Sequence, residues 1–201
     1  MIVDLLPEEP EPRGLLALLQ HCQARNRARR TACGRYVPLS EQDCAGWEHS
    51  LAASAEGHLA AALSRKSLGH FQVEAAIQSA HYERGVHGVN NWSSVVLLYQ
   101  KLIQLAPTLG ALVSYAGALA ECEGAQSGLT TLDSIDVARV SSYQPYWAVK
   151  ANLLAKLGDH DAAIAAFARA RGLSEDPAVR AFLEEQSDKL TNGILDSRSL
   201  T

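Results

Sequence analysis

Five arginines, Arg25, Arg27, Arg29, Arg30 and Arg35, fall within eleven residues, and Glu8, Glu9 and Glu11 precede them. A guanidinium forks onto a carboxylate or a phosphate, so this run is chemistry for gripping an anion, whether in a polynucleotide or in a protein. The chain around it is not basic: 18 Lys and Arg stand against 22 Asp and Glu, a formal net charge of -4. That balance argues against a general polyanion binder and leaves contact with acidic side chains, of this chain or of a partner, or ordinary solvation as the expected readings.

The other reactive side chains are not spaced for catalysis. Cys22, Cys33, Cys44 and Cys122 make neither a CxxC pair nor a dense disulfide framework. Cys44, beside an expected helix start, would be acidified by peptide dipoles, but a nucleophile also needs a base and a cavity, so an ordinary thiol is the simpler reading. His49, His58, His70, His81 and His87 lack the HxxxH spacing of a metal site. Glu184 and Glu185 are adjacent and diverge around a helix; Asp159 and Asp161 flank a turn; Asp133 and Asp136 share a face without a converging donor. No GxGxxG or Walker loop occurs, and the glycine-rich stretch 85–89 has neither a strand before it nor a lysine after it, so it reads as a loop. No catalytic residue, metal or cofactor is expected, and the chain is expected not to be an enzyme.

The elements that must position these groups read as helices. In 201 residues with 47% apolar content there is enough material for one substantial core, and the composition favours residues that lose little on entering a helix. No apolar run is long enough to cross a membrane, and the acidic N-terminus with Pro10 and Pro12 is unlike a secretory signal, so a reducing cytoplasm is the expected setting. Helices are expected from near Pro12 through Cys22, with the pattern lost from Asn26, and then at about 40–64 with Ser40 as its cap, 71–82, 92–105 with Asn91 as its cap, 109–123, 127–135, 145–157 and 161–171. A last one is expected from a Ser174 cap to about 190. Trp47, Leu51, His58 or Leu59, and Leu63 are expected on one face of the second helix. Residues 1–75 are read as an N-terminal helical cap, 76–190 as imperfect repeats with a C-terminal helix, and 191–201 as a flexible tail.

The repeat is clearest from Trp147 to Pro177, where Trp147, Leu154, Gly158-Asp159, Ala163, Phe167 and Ala170 follow the tetratricopeptide pattern. Ala163 lets two helices approach, Phe167 fills the space between them, and Gly158 permits the reversal. One 34-residue period earlier, Gly124 matches Gly158 and Gly117 matches Ala151. Asp133 breaks the aromatic pattern at the Phe167 position, and Tyr99 restores it a further period back. The expected fold is all-α: tetratricopeptide-like antiparallel helical hairpins, with additional N-terminal and C-terminal packing helices.

Residues of about 5–186, taken in order, resemble the C-terminal extension of a group of bacterial extracytoplasmic-function RNA polymerase sigma factors. The resemblance rests on Leu5-Leu6-Pro7-Glu8-Glu9-Pro10, Gly14-Leu15-Leu16-Ala17-Leu18-Leu19, Arg27-Ala28-Arg29 and Leu39-Ser40-Glu41-Gln42-Asp43. It continues through Trp47, Phe71-Gln72-Val73-Glu74-Ala75-Ala76-Ile77, Trp92 and Tyr99 to the hairpin from Trp147. It implies a cytoplasmic part in transcription initiation, with sigma regions of the same polypeptide or an RNA-polymerase-associated protein as partner. Promoter reading belongs in such families to two preceding helical regions, so no direct DNA recognition is expected of this segment. Arg27 and Arg29 match the family's basic part, Gln42 and Asp43 the start of its second helix, and Gln72 and Trp92 the junction with the repeats; these six are the candidate partner-binding residues. Cys44 stands where the family commonly has an arginine. Alternatives are a stand-alone adaptor gripping a peptide or protein tail and, behind it, a small-molecule enzyme.

Overall fold

The structure, a computed structural model, describes residues 2–199. It is all-α, with α1 Ile2–Leu5, α2 Glu11–Ala24, α3 His49–Leu63, α4 His70–His87, α5 Trp92–Leu105, α6 Leu109–Glu123, α7 Ala125–Asp133, α8 Val137–Val140, α9 Gln144–Lys156, α10 His160–Leu173 and α11 Pro177–Ser199. The chain forms two compact units. The first holds the residues up to Cys33 and Val37–Pro107; the second holds Gly34–Tyr36 and the residues from Thr108 on. The expected boundary between cap and repeats, at 75/76, lies inside the continuous helix α4.

In the first unit α2 packs on both α3 and α4, and α4 also packs on α5. The contact surfaces are small: Ala17, Ala55, Leu59 and Ala75 form one buried cluster. A Cβ on Gly14 would stand 2.8 Å from the backbone nitrogen of Gln72, so α2 and α4 touch almost backbone to backbone there. Glu11 then supplies the cap of α4: its carboxylate accepts the Phe71 N–H at 3.2 Å and the Gln72 N–H at 3.3 Å.

This unit departs from expectation around residue 40. Ser40 caps no α-helix; Leu39–Glu41 and Cys44–Gly46 are separate 3-10 turns, and Asp43 caps the second by accepting the Ala45 N–H at 2.9 Å. The α-helix waits until His49 because Trp47, in extended backbone, drops its indole into the core beside Tyr82, with ring centroids 5.7 Å apart. The buried face of α3 is Ala52, Ala55, Leu59 and Ala62, while Leu63 is exposed, since close helix approach takes the alanines. α4 runs on through Gly85 to His87, so the expected loop at 85–89 is partly helix. Gly85 sits where a Cβ would meet Cη2 of Trp47 at 2.6 Å. Asn91 precedes α5 without capping it; its Nδ2 donates to the Ala80 carbonyl at 2.7 Å.

In the second unit the hairpins α6/α7 and α9/α10 follow the repeat reading, with α9 packed on both α6 and α7 and α11 closing on α10. Gly158 and Gly124, one period apart, have φ of 83° and 104°, backbone that a side chain would strain at both reversals. Ala163, Phe167 and Ala170 are buried, and the half-buried Trp147 packs against both apolar clusters of the unit. Gly117 is half-buried with open space where a Cβ would stand. In the first unit Tyr99 lies half-buried on α5. Asp133, at the Phe167 position, ends α7 and meets Lys150 Nζ at 2.7 Å, while the buried Tyr146 donates to it at 3.3 Å; an ion pair replaces the aromatic plug.

The last helix differs at both ends. Gly172 lies inside α10, and Asp176 rather than Ser174 caps α11, accepting the Ala178 N–H at 2.9 Å. α11 continues through Gly193 to Ser199 instead of ending near 190, since an interior glycine costs a helix only about 1 kcal/mol. Of the expected tail 191–201, residues 200 and 201 lie outside the described residues. Among the described residues no helix is long and apolar enough to cross a membrane.

Candidate functional site

The arginine run begins where α2 ends. Asn26–Arg29 form a 3-10 turn, and the Val37 N–H donates to the Arg29 carbonyl at 2.9 Å, closing the loop behind it. The guanidinium groups before and within the turn have different surroundings. Arg27 and Arg29 are exposed, and Arg27 Nε lies 3.5 Å from a Glu48 carboxylate oxygen. Arg25 turns inward: it is 6% exposed, donates from Nη2 to Gln78 Oε1, and lies with its Cζ 5.8 Å from the Trp47 ring centroid.

The arginine meets α4 along a polar and aromatic seam. Arg84 stacks on the half-buried Trp92, Cζ to ring centroid 3.8 Å, and its Nη2 is 2.7 Å from His81 Nδ1. Burial first, then the charges of Arg84 and Arg25, push the His81 pKa down to about 4, so this imidazole is neutral at ordinary pH. On the α3 side the buried His21 places Nε2 3.1 Å from Glu56, and the His21 hydrogen bond is the main cause holding that carboxyl below its usual range. His49 Nδ1 and the Tyr82 hydroxyl share a 2.6 Å bond.

The six candidate partner residues therefore divide. Arg27, Arg29 and Asp43 are on the surface, although Asp43 is engaged in its turn. Gln42 is half-buried and donates to the Val37 carbonyl at 3.3 Å. Gln72 is fully buried, with Nε2 donating to Glu11 at 3.2 Å and to the Ser67 carbonyl at 2.8 Å, which makes it a packing residue of the α2–α4 crossing. Trp92 is the platform for Arg84. Cys44 is not acidified as the dipole argument expects: burial, then Asp43, raise its pKa. Sequence reasoning did not single out Gln78, and it named Arg25 only as one of the arginine run. The available signal is the position of Arg25 on the Leu15, Leu18, Cys22 side of α2, one turn past Cys22. Among the described residues no three His, Cys, Asp or Glu side chains gather as a metal would require.

Residues 1–63, which hold Arg25, Arg27, Arg29 and Trp47 but not α4, match a family of unknown function (DUF6596). Over 190 residues the chain is 32% identical to an uncharacterized protein of Rhizobium meliloti (strain 1021), a match covering 94% of this chain and 45% of that protein. The chain thus spans about half the length of this curated relative. No solved structure matches it. The site and its surroundings are a helical packing module of the kind that serves protein contact.

Proposed function

We propose that this chain is the regulatory, protein-contacting extension of a sigma-factor-like transcription initiation protein, acting in the cytoplasm. The observation that carries the reading is the presentation of Arg27 and Arg29, exposed on a 3-10 turn tied back by the Val37–Arg29 bond, where the family resemblance puts the basic segment. Guanidinium groups held on a closed turn lose little freedom on meeting a carboxylate, which favours contact over ordinary solvation. The greater length of the relative leaves room in it for further regions. In this role the chain carries no chemistry of its own; it supplies surface and shape.

The test is calorimetric titration of the chain into the promoter-reading and polymerase-binding regions of a sigma protein that carries such an extension. Saturable heat is expected, with Arg27→Ala/Arg29→Ala weakening association and flattening its salt dependence. No heat, together with unchanged transcription after deletion of the extension, rejects the reading. The stacked hairpins α6/α7 and α9/α10 favour a second reading, a stand-alone adaptor for a peptide tail, for which saturable binding of an extended tail by the second unit is required.

A further inference from the structure

Several exposed cations have carboxylates beside them: Arg27 with Glu48, Arg65 with Glu8, Lys156 with Glu121, Arg171 with Glu184. The cation with the greatest need of one has none. Arg25 is nine-tenths buried, yet its partners are the neutral Gln78 amide oxygen and the face of Trp47. Buried charges in proteins are paired, because burial strips away the water that stabilises them. The groups acting most strongly on Arg25 besides burial are Cys22, Arg29 and Tyr99, and those acting on the neighbouring His81 are Arg84 and Arg25 itself; no carboxylate is among them.

A second donor at the same corner is also unanswered. Trp47 is 4% exposed and its buried Nε1 has no hydrogen-bond partner. The benzo edge of this indole, Cζ3 and Cη2, abuts Gly85, so the Nε1 edge is turned away from that part of α4. A guanidinium without a carboxylate and an indole N–H without an acceptor are a binding set for an anion with two oxygens.

We propose that the corner made by the end of α2, Trp47 and α4 receives a carboxylate side chain of an acidic protein segment on Arg25, with Arg27 and Arg29 drawing that segment in. The proposal rests on the protein-contact reading above and names its partner chemistry. A single recessed guanidinium beside an aromatic wall suits the two oxygens of one carboxylate, whereas tight binding of a run of phosphates draws on many cations at once.

The test titrates capped hexaglutamate into the whole chain at low salt, with hexaglutamine and a short oligothymidylate as the other arms, and reads calorimetric heat and the thermal midpoint. Hexaglutamate is expected to saturate and to raise the midpoint. Arg25→Met is expected to weaken it by about tenfold or more. The midpoint of free Arg25→Met should equal or exceed that of the parent, because an uncompensated charge has gone; a purely structural arginine predicts a drop. If Arg25→Met does not fold, Arg25→Lys replaces it: the fork is lost, binding should weaken several-fold, and parental affinity overturns the site. Hexaglutamate binding that is absent, that survives Arg25→Met, or that gives way to oligothymidylate also overturns it. Normal sigma-region association by Arg25→Met removes this site and spares the sigma reading. Arg25-dependent hexaglutamate binding by a chain that ignores sigma regions does the reverse.

Discussion

The two units use the same helical pairs around different interiors. In the second, the buried clusters are apolar: Val113, Leu132, Val140 and Leu153 in one, Phe167 and Leu183 in the other. In the first, His21, Arg25 and Gln72 are buried, whereas in the second the buried Tyr146 turns a hydroxyl to Asp133. Apolar packing is non-directional and needs only shape, so the second unit depends on volume. A polar interior works only in one arrangement of donors and acceptors, so the first unit depends on geometry, and on pH. The contrast sets a geometry-limited interior in the first unit against a volume-limited one in the second.

The largest expected effect tests the scaffold. Phe167→Ala should destabilise the second unit by about 3–5 kcal/mol, the cost of removing a buried aromatic and leaving its cavity. Urea unfolding followed by hydrogen exchange should place the loss in α9, α10 and α11; a loss below about 1 kcal/mol would mean that Phe167 does not interlock the hairpin. The next tests the polar interior. The folded pKa of His81, about 4, lies below its value of 6.5 in the unfolded chain, so the unfolded state takes up a proton between those values that the folded state refuses. Stability is therefore full above pH 6.5 and falls by roughly 3 kcal/mol as pH drops to about 4. Glu56, held below its ordinary 4.5, adds a loss that begins only beneath that value. Thermal midpoints of His81→Gln should be nearly flat between pH 6.5 and 4.5; a slope like that of the parent would assign the acid sensitivity to other groups.

The same contrast explains what the sequence made legible. The hairpin from Trp147 is written in small and aromatic residues at fixed offsets, and α5 and α6 start and stop where Asn91, Pro107 and Gly124 suggest. Residues 39–48 were not legible, because Ser40 and Asp43 have the types of a capping box while Trp47 is pulled out of helical backbone by a partner 35 residues on, Tyr82. On α3 periodicity offered Leu59 but missed Ala52, Ala55 and Ala62, since tight packing selects alanines that carry little hydrophobic signal. Of the candidate site, the exposed arginines were visible as a run. The inward turn of Arg25 was not, because it depends on the register of a 3-10 turn and on Gln78, more than fifty residues away.

Two glycines set the closeness of a crossing in each unit. A Cβ on Gly128 would stand 2.5 Å from the Ala120 Cβ and 2.7 Å from the Ala116 carbonyl oxygen; one on Gly14 would meet Gln72 backbone and side chain at 2.8 Å. Neither helix can yield without moving backbone, so Gly128→Ala and Gly14→Ala should each cost about 1–3 kcal/mol. They should differ in kind. Gly14→Ala also disturbs the Glu11 cap on α4, so it should loosen amide protection at the start of α4, whereas Gly128→Ala should lower the midpoint without a local signature. Identical exchange maps would erase the distinction between a volume-limited and a geometry-limited interior.

The smallest effect compares how the two units cap a helix. Asp159 caps α10 from the adjacent position, accepting the Ala162 N–H at 3.2 Å, whereas α4 is capped across the fold by Glu11. An adjacent cap needs only an oxygen at the right place, so Asp159→Ala should cost about 1 kcal/mol and Asp159→Asn almost nothing. A remote cap also positions the helix that bears it. Glu11→Gln keeps one acceptor but removes the charge that answers two backbone N–H groups, the Gln72 amide and His70, the last at 3.3 Å. It should therefore cost more than Asp159→Asn, and the excess should persist in high salt, where surface charge effects are screened but a directed cap is not. Equal costs for the two conservative changes would reduce Glu11 to an ordinary cap and weaken the claim that the first unit is held by its polar geometry.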